Sequence, residues 1–130
     1  MHIAIRRVVV GLVVLVVLAV VGGELAYWGA YGTPAFWSEP KSISWCGRQY
    51  LPSNGPLLTR AAVDQLRAPL PGGQDEVVTV AKIPPLIGRP VLASVTPATT
   101  REALNLPCAM AVYLETGHDS YRQYILSGGP

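Results

Sequence analysis

The sequence predicts an α+β fold: one N-terminal transmembrane helix, then a small, mostly antiparallel sheet of about five strands with one or two short helices on one face. Three observations predict it. The fourteen residues after Arg6-Arg7, VVVGLVVLVVLAVV, carry no polar side chain. Beyond about residue 42, β-branched and alternating runs are separated by Gly- and Pro-rich turns, the pattern of short strands. Two short stretches there place Thr ahead of helix-compatible residues, as helix starts do.

The apolar run sets the topology. From Val8 to Trp28 a helix rises about 31 Å at 1.5 Å per residue, which matches a hydrocarbon core of about 30 Å. Valine is a mediocre helix former in water, but lipid offers the backbone no other partner. Arg6 and Arg7 precede the span and no Lys or Arg follows until Lys41. The basic flank therefore predicts a cytoplasmic stub at 1–7, a signal-anchor helix at 8–28, a juxtamembrane linker at 29–41 and an extracytoplasmic domain at 42–130. Tyr27, Trp28, Tyr31, Phe36 and Trp37 supply half of the ten aromatics, where an outer interfacial belt would lie. Glu24 reads as an interfacial acid. A cleaved signal peptide is the alternative, with small-residue sites at Val21-Gly22-Gly23 or Ala30-Tyr31-Gly32. Ala19/Gly23 and Gly22/Ala26/Ala30 repeat small residues at four-residue spacing, a face for weak homodimerisation.

The domain elements follow in order. Ser42–Tyr50 reads as one strand, with Gly47 marking a bulge. LPSNGP is a turn-rich loop. Thr59–Arg67 reads as a short helix, capped by Thr59, stapled by Leu58 and Val63, and stopped by Pro69. Glu76–Ile83 is the clearest strand by β-branched content. The loop PPLIGRP leads to a second strand at Pro90–Val95. Leu86 and Ile87, held between prolines, are expected to cover the core under the loop; the competing reading makes them the candidate partner contact. Thr99 and Glu102 have capping-box spacing for a helical turn. Ala109–Glu115 and Tyr121–Leu126 form a hairpin across Thr116–Ser120.

Composition bounds function. Roughly 90 residues outside the membrane segment make one small domain with a thin core. Ten Lys+Arg against eight Asp+Glu, scattered along the chain, give no electrostatic footprint for nucleic acid. Arg outnumbers Lys eight to two, a codon bias of GC-rich genomes. The mean hydropathy of +0.33 is inflated by the N-terminal run.

Cys46 and Cys108 are the only cysteines. Outside the cytoplasm they should form a disulfide. No C-x-x-C exists for redox work, and zinc would need four ligands where only His118 joins the two thiols. His118-Asp119-Ser120 has the letters of a hydrolase triad at a spacing unsuited to a relay, and reads as a polar turn. Asp75-Glu76 reads as a solvated edge, since neighbours on a strand face opposite ways. No phosphate loop, dinucleotide fingerprint or metal motif is present. The sequence therefore predicts no metal, no cofactor and no catalytic residue.

An Arg-flanked Val/Leu/Ala span, the W-C-G-R stretch at Trp45–Arg48 and the Y-x-x-Y-x-L-S-G-G-P-like ending at Tyr121–Pro130 resemble small actinobacterial single-pass membrane and exported proteins. The resemblance implies an envelope location and brings no activity or site residue with it. The expectation is a non-catalytic binding module whose partners are the lipid bilayer and an envelope protein or cell-wall component. A secreted binder or inhibitor is the alternative, and a small enzyme using Cys46 or His118 is the third reading.

Overall fold

In the computed structural model, residues 2–33, 37–66, 76–96 and 108–128 are described. The chain forms two compact units, Met1–Pro40 and Lys41–Pro130.

The first unit is built on α1 (His2–Tyr31). It extends six residues before the 8–28 span and three beyond it. It ends where Gly32 turns to φ 71° and its N–H donates to the Trp28 carbonyl at 2.9 Å. This is the single bond of a left-handed helix cap. At about 1.5 Å per residue, α1 is about 45 Å long. Its Ala4–Tyr31 portion is long and apolar enough to cross a membrane, and none of its apolar window is covered by the rest of the protein. A signal sequence has the same character.

The second unit is a six-stranded, fully antiparallel, curled sheet. Its strands are β1 (Ile43–Trp45), β2 (Arg48–Pro52), β3 (Glu76–Ile83), β4 (Arg89–Val95), β5 (Ala111–Gly117) and β6 (Ser120–Leu126), and α2 (Arg60–Gln65) lies between β2 and β3 in the chain. The spatial order is β1-β2-β6-β5-β4-β3. The α+β class holds, with one strand more than the sequence predicts. The extra strand comes from Ser42–Tyr50, which is a hairpin and not one bulged strand. Cys46 (φ 54°) and Gly47 (φ 68°) are both left-handed, and Trp45 pairs with Arg48 across them. Two consecutive left-handed residues match the right-handed twist of the flanking strands. The hairpin places Ile43 opposite Tyr50, both buried.

The register assigns two apolar faces, because paired residues point the same way and neighbours alternate. One face gathers Ile43, Tyr50, Tyr124, Val112, Leu114, Val91 and Ala93, all buried. The other carries Val77, Leu92, Tyr113 and Tyr121, which pack with Val63 of α2, supported by Leu58 and Ala111. Both faces of the central strands are thus covered, so Val91–Ala93 and Val112–Leu114 are buried without alternation. A register shift between Thr79 and Ala81 keeps Val78 and Ala81 on the face of Ala93 and Val91 despite their spacing.

Helix α2 begins as its cap residues predict. Thr59 is extended (φ −83°, ψ 163°) and its hydroxyl accepts from the Ala62 N–H at 3.2 Å. A second cap arrives from the β5–β6 turn: Asp119 Oδ1 accepts from the Arg60 N–H at 2.8 Å. A two-way backbone bridge between Leu58 and Tyr121 holds the two segments together. The Arg60 side chain pairs with Asp64 at 3.2 Å and donates to the Val77 carbonyl. Replacing Asp119 with Ala is expected to cost about 1 kcal/mol, the usual worth of a cap, read as a shift in urea midpoint without a change in slope. The turn predicted at Thr99–Leu104 lies outside the described residues.

Candidate functional site

The Cys46–Cys108 disulfide forms, with the Cα atoms 6.4 Å apart. It joins the β1–β2 turn to the chain entering β5. Since β6 lies between β2 and β5, the bridge spans the end of β6. Tyr50 reinforces the same place, its hydroxyl donating to the Ala109 carbonyl at 2.8 Å. The sequence gives no sign of that tyrosine's role, because its partner lies 59 residues away.

The tip of the β3–β4 hairpin is the most exposed apolar feature among the described residues of the domain. Leu86 is 89% and Ile87 90% exposed, so they do not cover the core. The backbone beneath them is tightly built. The Ile87 N–H donates to the Pro85 carbonyl and the Gly88 N–H to the Pro84 carbonyl, both at 2.9 Å. The first bond closes a three-residue turn around Leu86, whose φ of 72° belongs to the rare, strained form of that turn. Gly88 is obligatory here, since an added Cβ would overlap the Ile83 carbonyl carbon and the Pro84 nitrogen. Replacing Gly88 with Ala is therefore expected to cost roughly 2 kcal/mol or more, or to refold the tip, seen as shifted amide resonances confined to 83–89.

The other sequence candidates are placed as follows. Arg6 and Arg7 are exposed within α1. Trp28 and Trp37 are exposed at 55% and 67%, whereas Tyr27 is 5% exposed. The Tyr27 ring stacks obliquely on Tyr31 with centroids 4.5 Å apart, and its hydroxyl reaches the Ser38 carbonyl at 3.4 Å. Tyr27 thus ties the helix end to the segment after it. Phe36 lies outside the described residues, as does Asp75. His118 is exposed beside Asp119, and the Asp119 carboxylate is the α2 cap already described. Glu76 is exposed at the start of β3. Among the described residues, no group of three or more His, Cys, Asp or Glu is placed to hold a metal ion.

No protein family, no curated protein and no solved structure matches this chain.

Proposed function

We propose that this protein is a single-pass membrane-anchored domain that works by binding, with its N-terminus in the cytoplasm and its sheet domain on the outer side of the plasma membrane. The observation that carries this reading is α1, whose most apolar stretch within Ala4–Tyr31 is uncovered by the rest of the protein. The disulfide supports an oxidising compartment for the domain. Arg6 and Arg7, the only Lys or Arg residues before Lys41, support the orientation.

Retention is favoured over cleavage by the helix end. Val21-Gly22-Gly23 is helical, and Ala30 and Tyr31 close the same helix. Tyr27 is packed immediately before them. An envelope protein or cell-wall component is the partner class.

Two measurements test the reading. A reporter active only outside the cytoplasm, fused after Pro130, is expected to be active, and the intact mass from washed membranes is expected to include residues 1–31. A mass beginning after Gly23 or Gly32 would replace the anchor with a secreted binder. A cytoplasmic reporter signal would overturn the orientation.

A further inference from the structure

The register places several loops at one end of the sheet. β2 runs toward Pro52, which pairs with Tyr124 in the first half of β6. β5 ends and β6 begins at the pair Gly117–Ser120. β4 begins opposite the end of β3, with Ile83 against Arg89. The β3–β4 tip, the β5–β6 turn and the end of β2 therefore share one end. The Cys46–Cys108 bridge closes the other, beside the start of β2.

Strand β1 decides which end is tethered. It pairs antiparallel with β2, with Ile43 opposite Tyr50 and Trp45 opposite Arg48. The chain therefore enters β1 from the end that carries the Leu86-Ile87 tip. Between Gly32 and Ser42 it spans at most roughly 35 Å fully extended. The chain thus reaches the sheet at the end that carries the exposed apolar pair.

The charge of that hairpin fits a lipid surface. From Val77 to Val95 it carries Lys82 and Arg89 and no acid. Lys82 is exposed and Arg89 partly exposed, one step back from the apex. Two acids lie at the same end on the neighbouring hairpin, Glu115 in β5 and Asp119 in the β5–β6 turn, where Asp119 accepts from the Arg60 N–H. Two apolar side chains at an apex with cations behind them suit the boundary between headgroups and acyl chains, with the cations at anionic headgroups.

We propose that the β3–β4 tip docks on the bilayer that holds α1, burying Leu86 and Ile87 at the acyl boundary and placing Lys82 and Arg89 against anionic headgroups. The inference rests on α1 remaining in the membrane. Two side chains alone would bind only with an affinity in the region of millimolar. A short tether supplies an effective concentration of about that size, so the docked state is populated. The tight turn under Leu86 presents the apex without further ordering cost.

The test uses the full chain in lipid nanodiscs, labelled at the isoleucine δ-methyl groups. Nitroxide is carried on the lipid acyl chain in one sample, and a soluble gadolinium chelate is added to another. In discs containing phosphatidylglycerol, the Ile87 methyl is expected to be broadened several-fold more by the lipid nitroxide than the methyl of Ile125, which is also exposed. It is expected to be protected from the chelate. Discs of phosphatidylcholine alone, or added salt, are expected to weaken both effects. Leu86→Asp, which suits a left-handed exposed position, is expected to return Ile87 to the behaviour of Ile125. Ile87 behaving like Ile125 in the anionic discs, while the chain still co-elutes with them, would overturn the docking and leave the anchor standing. A chain that does not remain with the discs would take down both.

Discussion

Removing the disulfide by C46S/C108S is expected to destabilise the sheet domain by about 4 kcal/mol, the loop-closure term for a bridge over 62 residues. A domain of about 90 residues should then melt roughly 15–30 °C lower. The loss is large beside the whole stability of a small domain. It should also be uneven. β1 is a three-residue edge strand held by three register pairs, and the bridge fixes the turn at its far end. Hydrogen exchange is expected to rise first at Ile43–Tyr50, before β3, β4 or β5 loosen.

The position of Cys46 supplies an internal control. It sits at φ 54° in a two-residue turn, where Asn before Gly is the preferred pair. C46N/C108S removes the same bridge but suits the turn. It is expected to recover about 1 kcal/mol relative to C46S/C108S. Equal stability of the two variants would show that turn conformation contributes nothing. Unchanged melting in both would show that the bridge does not constrain the unfolded chain.

That turn also shows where the sequence is legible and where it is not. β3 is readable because a β-branched run stops at Pro84-Pro85, and its bounds fall at Glu76–Ile83 in sequence and structure alike. The start of α2 is readable because Thr59 caps it locally. The β1–β2 hairpin hides because Cys is not a turn residue by preference and Gly47 alone also signals a bulge. Asp119 as a helix cap is invisible, because the helix it caps begins 59 residues earlier. The exposure of Leu86 and Ile87 runs against their type, since an apolar pair between prolines is expected to fold under and cover the core. Local chemistry marks elements here, while register and long-range caps decide which side chains reach solvent.

Tyr50 is the second place where a single change should act strongly. Its side chain is 0% exposed, and it lies opposite Ile43 and 6.2 Å, ring to ring, from Trp45. Tyr50→Ala is expected to cost roughly 3–5 kcal/mol through the cavity it opens. Tyr50→Phe keeps the ring and removes only the bond to the Ala109 carbonyl, so about 1–2 kcal/mol is expected. Because that carbonyl adjoins Cys108, the tyrosine and the disulfide secure the same junction. A double-mutant cycle between Tyr50→Phe and C46S/C108S should therefore be non-additive by more than about 0.5 kcal/mol. Simple additivity would mean that the two ties act independently. Alkali offers another reading of the same hydroxyl. Burial pushes Tyr50 above its ordinary value of 10.0, against a smaller opposing pull from Arg48. The neutral hydroxyl is thus favoured by folding. Its contribution is fully present below pH 10 and is lost as pH rises through the folded-state value. Burial raises Tyr113 as well, against a hydrogen bond with Gln123. Tyr50→Phe should therefore reduce the alkaline loss of stability without abolishing it, measured as urea midpoints on either side of pH 10.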